Sequence, residues 1–541
     1  MAYKAGADFT IGQSVVRLED ERLLRGEGGY LDDLNIENLA HGVVVRSPWP
    51  HANIVSIDAS AARAAKGVLA VLTATEQLYD SIGPTWPHAR ENVHTGLAFP
   101  CEPQPILAVD RVRYVGEPVA FVVANTLADA RDAAELVDVE YAPLDPVLTP
   151  KAARASAAPQ ISQQVPGNLH LDWDFGETAR TQKALDGSAH VVTLDLHNHR
   201  IAHSAMEPRG AIGMFDAEAG LSGRGASASS ADGQYRLHLS SQNVHVIRDH
   251  IASSLGVPNR QVHVTAPDVG GGFGVRNFVY GEYVMVAWAA RVTGRPVKWV
   301  STRNEGFASD HQARDFEARG ELGFDADGRI TALRIDADFN VGAYLIGAGG
   351  GVPTGQYCAC PGTTYGIDDI HLRIRAVSTN TVPIGVTRGP GFAEMVDLME
   401  RMLDVAAKET GFDRLELRRR NLKSAADMPW TNSVGTVIDS GDFLGCFEKA
   451  IEQADIASFE ARRDEAQARG RLRGIGVANH LKATGGLDEE NIEFSFADND
   501  LVLTTGTQAI GQGHETTFRQ IVGSLLGVPH ERIRYVAGDS N

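Results

Sequence analysis

Two stretches of this chain repeat one order of elements, and that repeat narrows the available folds more than any other feature. The first covers 240–264 (SSQNVHVIRDHIASSLGVPNRQVHV) and the second covers 509–536 (AIGQGHETTFRQIVGSLLGVPHERIRYV). Each has a Gln near Gly or Asn, a helix-forming run, the tetrapeptide Leu-Gly-Val-Pro, a charged turn and a β-rich strand. Val244, Ile247, Ile251 and Leu255 fall at helical spacing in the first copy, as do Phe518, Ile521, Val522 and Leu525 in the second. The pattern predicts two homologous lobes closing around one site. Two similar helix–turn–strand units with no shared ligand is the alternative.

At 541 residues the chain exceeds one compact core, and roughly 150 residues per domain gives three or four units. A formal charge of −19 without a compensating basic block argues against a nucleic-acid footprint. Cys101, Cys358, Cys360 and Cys446 form neither a disulfide framework nor an iron–sulfur set. Cys358-Ala-Cys360 is too tight for the usual zinc spacing and reads as two small buried thiols. The start carries no apolar leader and no run reaches the length of a membrane span, so the expected location is cytoplasmic.

Residues 1–148 read as strands with short helices, including a helix after the N-cap Thr126. A Pro/Ala-rich stretch at 149–169 reads as a linker. Strands and amphipathic helices then alternate over 170–420, and a second such section fills 421–541.

Three segments could carry chemistry. In Asp268-Val-Gly-Gly271-Gly272-Phe273-Gly274, consecutive glycines permit positive φ and bring main-chain amides close to a ligand. The spacing is not that of a dinucleotide fold. Thr387-Arg388-Gly-Pro-Gly-Phe392 sets one Arg, able to fork onto an oxyanion, before a helix ending at Gly411. Gly511-Gln512-Gly513-His514 offers a side-chain amide and helix N-terminal amides. Each alone also fits a merely tight turn or a surface Arg. His197, His199 and His203 lack a fixed carboxylate partner and read as ordinary histidines rather than a metal site. No G-x-S-x-G elbow supports hydrolysis.

In this order the motifs resemble the large, molybdopterin-binding subunit of the xanthine dehydrogenase/aldehyde oxidase family, which includes bacterial carbon monoxide dehydrogenases. The opening GEGGYLDDLNIENLAHGVVVRSPWPHANIVSIDAS and QPILAVDRVRYVGEPVAFVVA resemble its hammerhead domain; AMEPRGA, SSQN, DVGGGFG, TRGPGF and GQGHETTF resemble its cofactor-binding part. The resemblance implies an α+β fold: an α/β hammerhead domain at 1–148, a first cofactor-binding lobe at 170–420, and an incomplete second lobe at 421–541. It assigns Gln242 to an oxygen on molybdenum and Gly271, Gly272, Phe273 and Gly274 to a backbone contact at the same centre. Arg388 would flank metal and pterin, and Gly511, Gln512 and Gly513 would contact the pterin. The protein would give molybdenum no direct ligand, the pterin sulfurs holding it.

Departures bear on substrate. The family's purine enzymes carry a glutamate where Asn277 stands and an arginine where Gln356 stands, which argues against xanthine and makes both positions substrate-side candidates. Copper-containing carbon monoxide dehydrogenases have a cysteine where Gly389 follows Arg388, so such a name would fit better than the activity. An aldehyde or aromatic N-heterocycle, hydroxylated with water as oxygen source, is the expected substrate class. The chain ends inside a stretch that family members continue, so the general-base glutamate is expected outside it; Glu515 and Glu531 do not match that motif. A fragment, or a subunit completed by another chain and inactive without it, follows. A non-catalytic cofactor-binding module and a metal-independent hydrolase are the other classes. The resemblance further implies the cytosine dinucleotide form of the cofactor, a small [2Fe-2S] subunit, a medium FAD subunit, and a dimer of heterotrimers.

Overall fold

The computed structural model describes residues 9–218, 233–483 and 490–541. Strands and helices mix as an α+β protein. Its largest sheet has seven strands in the order Val262–Thr265, Gln234–Leu239, Gly210–Asp216, Val297–Val300, Ala40–Arg46, Pro118–Ala124, Val68–Thr73. Strands from both sides of the stretch expected as a linker thus share one sheet. That stretch is itself packed: Ala153 is buried with Val377, Leu169 packs half-buried beside them, and Asn168 Nδ2 donates to Ala153 O at 3.1 Å and Pro159 O at 2.9 Å.

The helix Gly281–Thr293 lies against this sheet and is buried over 282–290. A helix apolar around its circumference can be stable only inside a core. Its approach requires Gly213, where a Cβ would sit 2.4 Å from Val286 O. A second sheet, ordered Leu169–Gly176, Asp369–Ser378, Ile330–Gly342, Phe316–Phe324, His190–Asn198, is covered by the helix Phe392–Thr410. Met395, Leu398, Met402, Leu403 and Ala406 of that helix bury at i, i+3, i+4 spacing.

The repeat is real in three dimensions. In the first copy Gly210–Asp216 and Gln234–Leu239 pair antiparallel; the helix Val244–Leu255 follows, and Val262–Thr265 returns parallel to the second strand. In the second copy Ile492–Ala497 and Asp500–Thr505 pair antiparallel, followed by the helix His514–Leu526 and the parallel strand Ile533–Val536. Both helices end on left-handed glycines, Gly256 at φ 67° and Gly527 at φ 66°, which only the residue without a Cβ adopts freely.

The second helix departs from the sequence expectation. Its buried residues are Thr516 and Gln520, whereas Ile521 and Leu525 are exposed and Phe518 and Val522 half-buried. Periodicity marks a face but not what covers it: a segment from the N-terminal end lies on the polar side of this helix. Among the described residues, no helix is long and apolar enough to cross a membrane.

Candidate functional site

The glycine-rich turn is held in a strained shape from three directions. Gly271, Phe273 and Gly274 take φ of 94°, 55° and 110°. Left-handed backbone at Phe273 is costly for a residue with a Cβ and persists only where its surroundings enforce it. Gln242 Oε1 accepts from Gly274 N at 2.8 Å and Arg276 N at 3.3 Å, and Gln242 N donates to Arg276 O. Buried Arg276 pairs with Glu207 at 2.7 Å, and Glu207 also accepts from Gly270 N at 2.8 Å. Neither glycine could carry a side chain here. A Cβ on Gly272 would meet Gln242 Cδ at 2.4 Å, and one on Gly274 would meet Val386 O at 2.4 Å.

The arginine segment docks directly on this turn. Arg388 N donates to Phe273 O at 2.8 Å, and the Arg388 guanidinium lies 5.1 Å from the Phe273 ring centre. Arg314 donates to Gly389 O and Arg388 O and pairs with Glu394 at 3.0 Å. Burial raises the Glu394 pKa against the opposing Arg314. His203 Nε2 contacts Val386 O at 3.0 Å and the Thr387 hydroxyl. His203 therefore parts from the other two histidines weighed as ligands; His197 and His199 lie tilted together with ring centres 4.1 Å apart, and, against the sequence expectation, His197 does have a carboxylate partner, Asp315 at 3.1 Å.

Gln356 comes to the same place. Its Cβ lies 2.6 Å from where a Cβ on Gly391 would be, and its Oε1 is buried without a partner among the described residues. Asn277 continues the glycine turn, its N–H donating to Gly274 O at 3.2 Å. The next residue, Phe278, packs on Gly347 at the start of the loop that leads to Gln356.

The second-copy corner sits across a cleft of about 210 Å³ lined by Ala266, Asp268, Gln508, Gly511, Gly513 and Tyr535, with others. Gly511 and Gly513 take φ of 118° and 80°. Gln512 turns back on its own corner: Oε1 accepts from Ile510 N at 2.6 Å and Nε2 donates to Gln508 O. Gln508, which sequence reasoning passed over, joins the lobes instead, donating to Ser241 O at 2.8 Å and Ala266 O at 3.2 Å. Ala266 N donates to Gly538 O, and Val264 N to Ser540 Oγ. Sequence reasoning also missed Arg17, Glu19 and Arg22. The available signal was the charge alternation in RLEDER, in a stretch read only for the absence of a leader.

The Cys358 and Cys360 thiols are buried, which pushes both up to about 12 and makes them inert.

Residues 25–145 match the aldehyde oxidase and xanthine dehydrogenase a/b hammerhead domain. Residues 161–422 and 449–541 match molybdopterin cofactor-binding domains. The chain is 32% identical to the nicotine 6-hydroxylase large subunit of Paenarthrobacter nicotinovorans, over 98% of this chain and 64% of that protein. It is 30% identical to the carbon monoxide dehydrogenase large chain of Hydrogenophaga pseudoflava, over 97% of this chain and 66% of the relative. The crystal structure of quinoline 2-oxidoreductase from Pseudomonas putida 86 superposes with a TM-score of 0.83 at 30% identity, covering 99% of this chain and 67% of that one. The chain thus spans about two thirds of the length of these relatives.

Proposed function

Because the chain belongs to the molybdopterin-binding large subunits of the xanthine dehydrogenase and aldehyde oxidase family, we propose that its two lobes hold a molybdenum cofactor for the hydroxylation of an aldehyde or an aromatic N-heterocycle. The coarser statement, a molybdenum cofactor-binding oxidoreductase subunit, follows from family membership. The residues present fit the group. The observation that carries the reading is the Gln242 amide, whose oxygen is consumed by Gly274 N and Arg276 N so that its amino group is left to donate to an oxygen atom. Glycines 272 and 274 let backbone come as close as side chains would forbid.

Each residue then has a role. Gln242 would donate a hydrogen bond to the bound cofactor, and Gly271, Gly272, Phe273 and Gly274 would supply close backbone. Arg388, stacked on Phe273, sets a positive charge at the edge of the site. Gly511, Gln512 and Gly513 shape the corner whose helix N-terminal amides suit the phosphate of a cytosine dinucleotide form of the cofactor. The bound cofactor would supply two-electron redox chemistry at molybdenum. Gln356 and Asn277 would face the substrate, the stretch 149–169 would join the hammerhead domain to the first lobe, and the division after 420 would part the first lobe from the second. A small [2Fe-2S] subunit and a medium FAD subunit are the proposed partners, in a dimer of heterotrimers in the cytoplasm.

Molybdenum per chain, measured on protein isolated from its native host with its accompanying subunits, tests this reading. Near-stoichiometric metal supports it, and absence of metal from a host whose other molybdoenzymes are loaded sinks it. Gln356→Ala and Asn277→Ala should alter substrate preference more than molybdenum content. Equal loss of metal in both would remove them from the substrate side.

A further inference from the structure

One segment touches both halves of the proposed cofactor site. On the second-copy helix, Thr516, Gln520 and Ser524 recur at intervals of four and so share a face. All three are engaged by residues 10–19. Thr516 Oγ1 accepts from Leu18 N at 2.8 Å and donates to Glu19 Oε2 at 2.5 Å. Gln520 Nε2 donates to Thr10 O at 3.1 Å and Gln13 O at 3.2 Å, and Ser524 Oγ accepts from Ile11 N at 3.1 Å. Phe9 stacks on His530 beyond the end of the helix, with ring centres 3.9 Å apart. At the glycine corner Arg17 donates to Gly511 O at 3.0 Å.

A few residues further on, the same segment grips the first lobe. Arg22 forks onto Asp268, at 2.6 and 2.7 Å, and Gly29 N adds a third bond to that carboxylate at 2.7 Å. Leu31 N reaches Glu207, which in turn holds Gly270 N and Arg276. The forked pair holds the Asp268 carboxyl below its ordinary range. The cleft lies between these two grips, and Arg17, Glu19, Arg22 and Asp268 all line it. The first-copy helix has no such stripe: the matching positions are His245, Asp249 and Ser253, and the last two are exposed.

We propose that residues 9–31 are a strap, and that Glu19–Thr516 and Arg22–Asp268 are its positioning contacts, setting the gap between the 511–513 corner and the 268–276 turn. The inference rests on the proposed cofactor site for its consequence, but not for its geometry. Breaking either grip leaves both loops folded and lets the distance between them drift.

The test uses the full chain with its accompanying subunits and three variants: Thr516→Val, Arg22→Gln and Arg22→Lys. Amide hydrogen exchange is read on peptides covering 9–18, 268–276 and 508–516, alongside molybdenum per chain and near-ultraviolet circular dichroism. Losing the hydroxyl of Thr516 should raise exchange at 9–18 by about tenfold. It should also raise exchange at 268–276, which Thr516 does not touch, and lower molybdenum content with an unchanged near-ultraviolet spectrum. Arg22→Gln should do the same from the other end, and Arg22→Lys, which keeps a charge on Asp268, should recover more than half of that loss. Exchange confined to 9–18 with 268–276 and molybdenum unaltered overturns the strap. Wild-type protein without molybdenum overturns the cofactor reading instead, and the exchange data then decide the strap alone.

Discussion

The two copies of the repeat share strand order, helix length to within one residue, and a glycine C-cap, yet they are stabilised by different means. The first is built into the middle of the protein. Its strands belong to the seven-stranded sheet, and its helix buries Val244, Ile247, Ile251, Ala252 and Leu255. The second stands on a three-stranded sheet with a small core of Leu501, Leu503 and Ile533. It is tied to the rest by polar contacts to Thr516, Gln520 and Gln508. One topology therefore tolerates either an apolar or a polar partner, provided the strand pairing is kept. The difference fits a division of labour in which the first copy is the frame and the second is the part held against it.

The largest expected contrast is electrostatic. Glu282, at the start of the helix on the first-copy sheet, is buried between Arg46 at 2.6 Å and Arg209 at 3.3 Å. Burial alone would raise its pKa, but Arg209 and Arg46 override that and hold it at about 2. Glu282→Gln should cost about 3 kcal/mol, because it takes one of two carboxylate partners from each of two buried guanidinium groups, Arg46 keeping Glu305 and Arg209 keeping Asp310. The second-copy pair Arg532–Asp500 is exposed on both sides, and Asp500→Asn should cost under about 1 kcal/mol. Since the folded pKa of Glu282 is depressed below 4.5, its contribution is full above pH 4.5 and is lost as pH falls through about 2. Denaturant titrations should show the gap between wild type and Glu282→Gln closing over that window. A gap that is constant with pH would show that the carboxylate is not the source.

The next contrast uses residues that the repeat itself makes equivalent. Leu255 is 6% exposed and Leu526 is 57% exposed, and both begin the tetrapeptide Leu-Gly-Val-Pro. Leu255→Ala should cost about 2–5 kcal/mol, and Leu526→Ala within about 0.5 kcal/mol. Similar losses measured by urea unfolding would mean that the second helix packs against something in solution that covers Leu526, and would break the comparison.

This pair also shows what could be read in advance. The repeat was legible because its signals are local: a tetrapeptide, a helical period and a β-rich strand within thirty residues. The convergence of Gln242, Gly274 and Arg388 was legible through the motif order of a family. The buried side of the second helix was not, because what covers Thr516 and Gln520 comes from residues about 500 positions away. Gln508 escaped notice for the same reason, and attention fell on its neighbour Gln512, whose amide is spent on its own corner.

Glycine substitutions sharpen the comparison at the site. Gly274→Ala must accept φ 110° and a Cβ 2.4 Å from Val386 O, a backbone atom that cannot swing aside. A loss of about 2 kcal/mol is expected, with a marked fall in molybdenum per chain. On the second-copy corner Gly513→Ala meets side-chain atoms instead, Arg17 Cδ at 2.9 Å and Glu19 Oε1 at 3.4 Å, so about 1 kcal/mol is expected. If metal content falls equally in the two variants, both corners are equally rigid and the frame-and-held-part distinction fails at the site.

The smallest effect concerns how each helix begins. Asn243 caps the first helix, its Oδ1 accepting from Val246 N at 3.1 Å. The second helix begins at Gly513, which has no side chain to cap with, and the strap's Glu19 lies close to that end, bonded to Thr516. Asn243→Ala should therefore cost about 1 kcal/mol and Asn243→Gly only a few tenths, read as shifts in the urea midpoint at constant slope. Glu19→Gln, by contrast, should weaken the second helix through the loss of a negative charge at its positive end, by about 0.3–1 kcal/mol and less in high salt. A salt-independent loss at Glu19 would assign its effect to the hydrogen bond with Thr516 alone, and the two helix starts would then differ in geometry but not in electrostatics.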